Sequence, residues 1–394
     1  MHTTHNTLKR KANINIASLN LNGFTAPTSN MSGIEKWSMI NNTLNTYNIA
    51  ILAVQETHMD MELLQNVRAC FGRKMEILMS PHPETPRASA GVAFIVNKTL
   101  IKPRKCTVSE LVKGRALALK IEWLESETTT LINVYAPNNK SEHPTFWERV
   151  ETASQAYGLG RPNFLLGDFN LVEDPIDRAP AHQDDANAVE ALRDLRHQNE
   201  LKDTWRHHNP TDRCFTYRAN VNSQQIQSRI DRIYIARRTA ELTYDWKIAP
   251  TSVLTDHWIT MVKYAPTEAP VLGNGRWSLK PHMLNDKKVL KEIDKRGIAL
   301  EDRLIEIQRN NPPRDNANPQ LLWKAFKLEA CDLIKERHRA SQHKRKTMRK
   351  NLKKDIRDLA NNPEMDEDNS MRANEAILAS ELAHLERLDA NRSK

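Results

Sequence analysis

Short apolar runs rich in β-branched residues alternate with amphipathic segments over the first two thirds of the chain. Apolar runs of four to eight residues bounded by polar residues predict buried strands, and apolar residues at three- and four-residue spacing predict helices. Predicted strands cover residues 14–19, 49–54, 91–96, 116–121, 130–135, 163–166, 214–217, 230–236 and 259–264, and predicted helices cover 34–44, 144–157 and 186–197. Many strands with few helices indicate two stacked β-sheets flanked by helices, an α+β protein with a four-layer α/β sandwich.

The pattern changes after Tyr264. Residues 265–275 are rich in proline, glycine and small side chains, which is typical of a linker. The helical pattern that follows contains the strongly basic run HKRKTMRKNLKK at residues 343–354, and a last helical stretch at 371–388 follows an acidic break. We therefore predict a domain at residues 12–265, a linker at 266–285 and a basic helical extension at 286–394.

Composition narrows the class of protein. The 394 residues carry a net charge of +9, which favours a polyanionic partner such as nucleic acid. Four scattered cysteines, with no CxxC pair and no histidine cluster beside them, argue against a zinc site or a disulfide framework. Neither a secretory signal nor a membrane-length apolar stretch is visible, so we expect an intracellular protein with no membrane partner.

Polar residues follow or precede several of the predicted strands. They lie in the motifs SLNLNG (18–23), AVQETH (53–58), NVYAPN (133–138), LLGDFN (165–170), SRIDRIYI (228–235) and LTDHW (254–258). Taken singly, such an aspartate or asparagine is more often a turn or cap residue than a catalyst, a strand tyrosine more often packs in the sheet, and an aspartate between arginines more often forms a surface ion pair. Taken together, they predict a site at one edge of the sandwich.

The side chains in these motifs suit hydrolysis of a phosphodiester. That reaction needs a hard cation, a base that accepts a proton from water, and a group that stabilises the departing oxyanion. Carboxylate and amide oxygens are the ligands that suit Mg²⁺. The motifs together supply carboxylates, amides and a histidine, and the reaction needs several such groups acting together.

The ordered series SLNLNG, QETH, NVYAPN, GDFN, SRIDRIY and TDH resembles the endonuclease/exonuclease/phosphatase superfamily over residues 12–265. Within that superfamily, the segments AGVAFIVN, KGRALALKI and EDPIDRAP resemble the apurinic-like endonuclease domain of non-long-terminal-repeat (LINE-type) retrotransposons. The segment GNGRWSLKPHML at residues 273–284 is similar to the stretch that follows the nuclease in such polyproteins.

The resemblance implies roles for individual residues. Glu56 would be the principal ligand of a Mg²⁺ or Mn²⁺ ion, assisted by Asn20 and Asp256. Asp168 would orient or deprotonate the attacking water, and Asn170 would hold that water in place. Asp168 and Asn170 would also serve a second ion if two are bound.

The remaining catalytic residues act on the phosphate. His257, oriented by Asp256, would stabilise the charge that develops on the scissile phosphate, or act as the base. Tyr135 would approach the phosphate or the leaving group, and Asp231 would act on the leaving side or fix His257. The family usually has serine at the position of Thr255, and both side chains can form the same hydrogen bond.

Contacts to DNA are implied for residues in loops beside these motifs. The predicted DNA-binding residues are Arg115, Arg178, Thr216, Arg218 and Ser228. Arginine is a common ligand of phosphates and of narrow minor grooves, although a solvated surface arginine is an equal alternative. The hairpin at residues 217–228 resembles the loop that inserts into DNA in this family.

The function implied is a metal-dependent endonuclease that nicks target DNA and leaves a 3′-hydroxyl for reverse transcription. Asn22 favours the LINE-type enzymes, since repair enzymes usually have a carboxylate there. The alternatives are an apurinic/apyrimidinic repair endonuclease, an inositol or sphingolipid phosphodiesterase or phosphatase, and a non-enzymatic nucleic-acid-binding protein. We expect DNA as a partner, RNA as a partner of the basic helices, and the nucleus as the compartment, with the cytoplasm as the alternative. Whether the chain is a fragment of a longer element, a decayed copy or a stand-alone protein stays open.

Overall fold

The computed structural model describes residues 11–23, 33–102, 105–123, 127–272, 279, 281–310 and 318–392. The chain divides into two compact units. The first unit contains Met1–Gly273 together with Asp355–Arg387, and the second contains Asn274–Lys354 with Leu388–Lys394.

Three sheets make up the strand structure described for the first unit. One six-stranded sheet has the order β14-β15-β1-β2-β4-β3, with β1 (Ile14–Asn20), β2 (Ile49–Gln55), β3 (Met75–Ser80), β4 (Val92–Asn97), β14 (Thr243–Ala249) and β15 (Ile259–Tyr264). The other has the order β10-β13-β8-β7-β6-β5, with β5 (Cys106–Val112), β6 (Ala116–Trp123), β7 (Glu127–Tyr135), β8 (Phe164–Asp168), β10 (Leu201–Asp203) and β13 (Asp231–Ala236). A small sheet has the order β11-β12-β9, with β9 (Arg178–Ala179), β11 (Tyr217–Val221) and β12 (Gln224–Ser228).

The helices described are α1 (Gly33–Thr46), α2 (Met61–Phe71), α3 (His143–Ala156), α4 (Ala186–Gln198), α5 (Thr204–His208), α6 (Arg237–Ala240), α7 (Lys287–Asn310), α8 (Pro319–Ala360) and α9 (Asn369–Arg392). None of the described helices has the length and apolarity that crossing a membrane requires.

Alternating apolar residues of the two large sheets produce three buried layers of side chains. Ile16 of β1 and Leu166 of β8 belong to one cluster that contains residues from both sheets. The intervening positions face outward, because successive side chains of a strand point to opposite faces. Leu19 packs with residues of α1 and α2, and Leu165 packs with residues of α3 and α4. The predicted α+β sandwich of two sheets flanked by helices is confirmed.

The strand directions bring the polar motifs to one edge. β1 and β2 are parallel neighbours in one sheet, and β7 and β8 are parallel neighbours in the other. Their carboxyl ends therefore lie on the same side of each sheet. β13 runs antiparallel to β8 with Asp231 opposite Asp168, and β15 runs antiparallel to β1, so these strands begin where their neighbours end.

Two sequence expectations differ from the structure. The strand predicted at 214–217 is wrong, because the chain there is irregular and β11 begins at Tyr217. Phe215 contributes to the apolar pattern of this segment and is fully buried, but it lies outside a strand. Its carbonyl accepts a hydrogen bond from Arg218. The single extension predicted at 286–394 is also divided, since Asp355–Arg387 belongs to the first unit. The predicted linker at 266–285 lies partly outside the described residues, as does most of the GNGRWSLKPHML segment.

A buried ion network fixes the loop between β8 and β9. Both oxygens of Asp177 accept hydrogen bonds from Arg229, over 2.8 and 2.6 Å, and Arg206 donates to the same carboxylate. Burial alone would raise the pKa of Asp177, but Arg229, Arg232 and Arg206 hold it well below its usual range. The pair Asp177–Arg229 is thus charged and desolvated, so the loss of either partner would leave a buried charge without part of its compensation.

Replacing Asp177 tests this network. Arg229 is paired with two carboxylates, Asp177 and, over 2.7 Å, Asp203. Asp177→Asn removes the one that accepts two hydrogen bonds from it, so we expect the free energy of unfolding to fall by about 3–5 kcal/mol. Urea unfolding followed by circular dichroism measures the change. Glu190→Gln is the control, because Glu190 is exposed and its neutralisation should cost less than about 0.5 kcal/mol. A loss below about 1 kcal/mol in Asp177→Asn would contradict the assignment.

Candidate active site

One buried asparagine joins the two large sheets at the edge where the polar motifs meet. Asn20, the last residue of β1, is fully buried. Its Nδ2 donates to Glu56 Oε1 over 2.9 Å and to Asp168 Oδ2 over 2.8 Å. Because Glu56 follows β2 and Asp168 ends β8, a single amide group holds a carboxylate from each sheet. Asn20 Oδ1 in turn accepts the backbone N–H of Asn22 over 2.8 Å.

Three of the polar residues have a left-handed backbone. The φ angles are 48° at Asn22, 49° at Glu56 and 48° at Asn170. Such conformations cost about 1–3 kcal/mol outside glycine and persist only where surrounding contacts hold them. At Glu56 the holding contacts include its carbonyl, which accepts the N–H of Gly23 over 3.1 Å. With this backbone conformation the Glu56 side chain reaches Asn20 at the end of β1.

Asp231 and His257 form a buried hydrogen-bonded pair. His257 Nδ1 and Asp231 Oδ2 lie 2.8 Å apart, and the two side chains are 5% and 0% exposed. Burial alone would lower the pKa of His257, but Asp231, Asp168 and Asp256 outweigh it and raise the pKa to about 10. The imidazole is therefore a cation that keeps Nε2 available as a proton donor.

The expectation that Asp256 orients His257 is corrected by this geometry. Asp256 Oδ1 is 3.8 Å from the other ring nitrogen, Nε2, which is too long for a hydrogen bond. The ring nitrogen that is held is Nδ1, which lies 2.8 Å from Asp231 Oδ2. Asp256 instead accepts a hydrogen bond from Asn22 Nδ2 over 3.0 Å.

Asp168 lies beside this pair. It is 1% exposed, and its burial, followed by the negative charge of Asp231, raises the pKa of its carboxyl. Its Oδ1 accepts the backbone N–H of Asn170 over 2.9 Å, and Asn170 Nδ2 donates to the carbonyl of Ala136 over 2.9 Å. The ligand atoms of Asp168, Asp231 and His257 lie within 4.8 Å of one another. The structure thus places a carboxyl of raised pKa next to a protonated histidine.

Tyr135 closes β7 at the same edge and is 7% exposed. Burial, followed by the charges of Glu56 and Asp168, raises the pKa of its phenol. The guanidinium of Arg115 lies 5.1 Å from the centre of the Tyr135 ring. The hydroxyl therefore stays protonated and can donate a hydrogen bond.

Two sets of side chains could hold a divalent cation. In the group of Asp168, Asp231 and His257, a hydrogen bond already joins His257 Nδ1 and Asp231 Oδ2, so that group is better described as an acid–histidine pair with a neighbouring carboxyl. Glu56 and Asp256 offer carboxylate oxygens whose side chains are 21% and 34% exposed. Such hard oxygen donors, open to several water ligands, fit Mg²⁺ or Mn²⁺.

A buried polar atom also points to a ligand in the site. Oδ1 of Asp231 is buried and has no hydrogen-bond partner among the described residues. An unpartnered carboxylate oxygen is costly unless a bound group satisfies it. The predicted ligand roles of Asn20, Glu56 and Asp256 stay predictions that this chemistry supports.

Sequence reasoning missed two residues that shape the site. Lys36 of α1 is 5% exposed and donates to the carbonyls of Leu21 and Gly23, and so holds the loop after β1. Burial lowers the pKa of Lys36 to about 8 against the charges of Asp256 and Glu56. The only signal was a lysine beside the apolar face of a predicted helix. Tyr217, whose ring centre lies 4.9 Å from that of His257, gave no separate signal.

Two residues predicted to bind DNA contact each other. Arg178 donates from Nε to Ser228 Oγ over 3.2 Å and forms two hydrogen bonds of 2.9 Å with Asp184. The side chain of Arg178 is 10% exposed. Their DNA contacts stay predictions, and the structure adds that the Arg178 charge already has a carboxylate partner.

The other predicted DNA-binding residues lie around the hairpin and β7. Thr216 is fully buried, and its hydroxyl accepts the backbone N–H of Asp231 over 3.1 Å. Arg115 is half-buried against Tyr135, and Arg218 is 9% exposed. These DNA contacts also stay predictions.

Comparison with known proteins assigns the family. The model of the endonuclease/exonuclease/phosphatase family matches residues 17–257, which is more than half of the chain. A 209-residue stretch is 30% identical to the 149 kDa uncharacterized protein of transposon TX1 from Xenopus laevis, covering 52% of this chain and 15% of that protein. That likeness agrees with the resemblance to transposon-encoded nucleases seen in the motifs.

Solved structures confirm the fold. An AP endonuclease, LMAP, from Leishmania major aligns with a TM-score of 0.52 at 14% identity, over 68% of this chain and 99% of its own. A 3′ phosphatase, NExo, from Neisseria bound to a product DNA hairpin aligns with a TM-score of 0.51 at 16% identity, over 64% of this chain and 100% of its own. This chain belongs to the endonuclease/exonuclease/phosphatase family and is a phosphodiester hydrolase.

The Asp231–His257 pair gives the first test of the site. Asp231→Asn keeps the size of the side chain but removes the charge that holds His257 protonated and oriented. We expect the hydrolysis rate to fall by a factor on the order of 10²–10⁴. The measurement is the rate at which saturating enzyme converts supercoiled plasmid to the open circle in the presence of a divalent cation. Asp194→Asn, at an exposed position, should leave the rate unchanged; an equal rate in Asp231→Asn would contradict the role.

Proposed function

We propose that this protein is a Mg²⁺-dependent DNA endonuclease that nicks target DNA and leaves a 3′-hydroxyl, as in target-primed retrotransposition. The observation that carries the proposal is the meeting of Asn20, Glu56 and Asp168 beside the Asp231–His257 pair at one edge of the sandwich. This arrangement combines an oxygen-rich cation site, a candidate base and a cationic hydrogen-bond donor.

Asp168 is the side chain best suited to accept the proton of the attacking water. Its raised pKa makes it a stronger base than an exposed aspartate, and general bases work best when their pKa approaches the working pH. Hydrogen bonds from Asn20 and from the backbone of Asn170 fix the orientation of the carboxylate. The water is thereby held on the Asp168 side of the phosphate.

His257 and Tyr135 supply donors for the charge that develops on the phosphate. The protonated imidazole, fixed through Nδ1 by Asp231, presents Nε2 to a phosphate oxygen. The Tyr135 hydroxyl, kept protonated by its surroundings, is a second donor. Donors that are already oriented stabilise the transition state without reorganisation, and one such donor is worth a factor of about 10²–10³ in rate.

Glu56, Asp256 and Asn20 would hold a Mg²⁺ ion, which when bound neutralises negative charge on the phosphate oxygens. The amide of Asn20 donates to the carboxylates of both Glu56 and Asp168, so it fixes the two side chains relative to each other within the site. Asn170, held by the carbonyl of Ala136, would keep its place beside the attacking water.

DNA as the substrate is supported from three directions. The chain carries a net charge of +9, which attracts a polyanion. The Neisseria phosphatase that shares its fold is bound to DNA, and the Leishmania neighbour is an AP endonuclease. The relative encoded by transposon TX1, together with Asn22 in place of a carboxylate, favours nicking of target DNA over repair. Action on chromosomal DNA would place the protein in the nucleus.

A nicking assay on three substrates tests the proposal. We expect Mg²⁺-dependent conversion of supercoiled plasmid to the open circle, with ends that a DNA polymerase extends without prior phosphatase treatment. Asp168→Asn should reduce the rate by a factor on the order of 10³ or more, since it removes the base while keeping the shape. Mn²⁺ should replace Mg²⁺, and chelation with EDTA should abolish nicking.

The same assay separates the alternatives. Cleavage restricted to duplex with an abasic site would identify a repair endonuclease, and release of phosphate from a phosphoinositide would identify a lipid phosphatase. Either result, or plasmid nicking that persists in Asp168→Asn, would overturn the proposal. Glu200→Gln, an exposed carboxylate at a loop, is the control and should nick at the wild-type rate.

We further propose that the basic part of α8 binds RNA or DNA without sequence preference. The side chains of Lys346, Lys350 and Lys353 are exposed within the run at residues 343–354. Each lysine that neutralises a phosphate releases a counterion, so binding there should depend strongly on salt.

Charge reversal measures this contribution. In the triple variant Lys346→Glu, Lys350→Glu and Lys353→Glu, we expect weaker binding of a labelled RNA and a log–log salt slope smaller by about 2–3. Fluorescence anisotropy over a range of salt concentrations gives the slope. Lys102→Glu with Lys202→Glu, at exposed positions of the first unit, is the control. An unchanged slope in the triple variant would remove α8 from the interface.

A further inference from the structure

The C-terminal segment Asp355–Arg387 packs against the β11–β12 hairpin, within the same compact unit as the catalytic edge. We name this segment the hairpin clamp. It contains the end of α8, the 3-10 turn Pro363–Asp366 and most of α9. It lies more than 90 residues beyond the stretch that the family model matches, residues 17–257. Its contacts with the hairpin are therefore a feature of this chain that the family match does not include.

Glu375 makes the central contact of the hairpin clamp. Its two carboxylate oxygens accept hydrogen bonds from Arg218, from Nε over 3.0 Å and from Nη2 over 2.7 Å. Gln227 Nε2, on the paired strand, donates to Glu375 Oε2 over 2.8 Å. The side chains of Glu375 and Arg218 are 0% and 9% exposed. A buried carboxylate with two directed partners fixes a geometry that an exposed ion pair does not.

Further bonds hold the hairpin toward its tip. Arg372 Nε donates to the carbonyl of Gln225 over 2.9 Å, and its own carbonyl accepts Gln227 Nε2 over 2.9 Å. Asn369 Oδ1 accepts the N–H of Gln225 over 2.8 Å, and Asn369 Nδ2 donates to the carbonyl of Ser223 over 3.1 Å. Asn369 and Arg372 of α9 thus form hydrogen bonds with backbone groups of the hairpin that would otherwise be bonded to water.

The hairpin clamp is anchored to the catalytic unit beyond the hairpin. Asp366 accepts two hydrogen bonds from Arg213, over 2.7 and 3.1 Å, and one from the backbone of Ala181 over 2.8 Å. Met365 is fully buried in an apolar cluster with Phe215 and Ala360. The part of the segment that precedes Glu375 is therefore anchored to the first unit by both hydrogen bonds and apolar packing.

Arg218 connects Glu375 to the catalytic histidine. Its guanidinium carbon lies 4.2 Å from the centre of the Trp258 ring, and Trp258 follows His257 in the chain. The preceding hairpin residue, Tyr217, pairs with His257 in a β-bridge and packs against its ring. A shift of β11 would therefore move groups that touch His257.

The side chains at the tip of the hairpin are exposed, although the backbone there is bonded to Asn369. Val221 is 48% exposed, and Asn222 and Ser223 turn the chain with φ angles of 51° and 64°. The base of the hairpin lies beside the Asp231–His257 pair, while the tip is open to a large ligand. An exposed tip on a base that adjoins the Asp231–His257 pair is suited to contact DNA bound in the site.

We propose that Glu375 is a positioning residue which, through Arg218, fixes the β11–β12 hairpin relative to His257 and so determines how DNA is seated in the site. The proposal rests on the proposed endonuclease function. Arg218 acts here as the connection between the hairpin clamp and the hairpin, in addition to any contact it makes with phosphate. The functional nuclease of this chain thus includes residues 355–387.

Glu375→Gln in the full chain tests the proposal. Glutamine keeps the size of the side chain but leaves Arg218 without its counter-charge, so the hairpin should lose its fixed position while the catalytic cluster stays intact. We expect KM for nicking a duplex to rise at least fivefold, kcat to change less than twofold, and the distribution of cut sites on a plasmid to change. Glu381→Gln, at an exposed position of α9, is the matched control and should match the wild type in all three.

Hydrogen–deuterium exchange provides a readout that does not depend on activity. Amides in residues 217–228 should exchange faster in Glu375→Gln than in the wild type, while those of β1 and β8 should not change. A double variant Arg218→Gln with Glu375→Gln should raise KM no further than Arg218→Gln alone, since coupled residues are not additive.

The outcomes separate the two proposals. Unchanged KM and unchanged exchange at the hairpin would overturn the role of Glu375, as would a joint fall in kcat and Tm with constant KM. If the wild type failed to nick DNA, the endonuclease proposal would fall, and the exchange data alone would decide the hairpin contact. Should Glu375→Gln not fold, Asn369→Ala removes bonds at the tip without exposing a buried charge, and the same rise in KM and in exchange is expected.

Discussion

The active site depends on one amide group that stands between two carboxylates. Asn20 donates both hydrogens of its side-chain amide, one to Glu56 from the first sheet and one to Asp168 from the second. Without this amide, the negative charges of Glu56 and Asp168 would lie close together and repel in a partly desolvated site. The amide reduces that repulsion and, together with the Asp231–His257 and Gln55–Asn133 bonds, ties the two sheets at this edge. Everything else in the site is arranged around this bridge.

A large part of the fold and of the site could be predicted, because both follow from strand patterns. Apolar runs marked the central strands, and the polar residues at their ends had to meet where parallel strands terminate together. The gathering of Asn20, Glu56 and Asp168 is a direct consequence of the parallel pairs β1–β2 and β7–β8. Short, partly exposed strands such as β10 and β12 carry too few apolar residues to be distinguished from loops.

What could not be predicted lies in contacts between residues far apart in the sequence. Asp256 adjoins His257 and was expected to orient it, but the residue that holds the ring is Asp231, which the motifs had offered for that role only as one of two alternatives. Which aspartate holds His257 depends on how two distant segments of the chain meet. The buried role of Lys36 depends on two loop carbonyls that leave no pattern in the sequence. Likewise, the helical pattern predicted at residues 371–388 indicates a helix but not the surface that it covers.

The contact between Arg218 and Glu375 spans 157 residues of chain, which has a consequence for the order of events during synthesis. Ribosomes add about 5–20 residues per second, so the hairpin emerges roughly 10–30 seconds before the carboxylate that completes its surroundings. During the later part of that interval, all strands of the two large sheets and the Asp231–His257 pair have been synthesised, but Arg218 still lacks its carboxylate partner. The order of synthesis therefore separates completion of the two large sheets from completion of the hairpin contacts, and a chain released before Glu375 would lack the bond that holds Arg218.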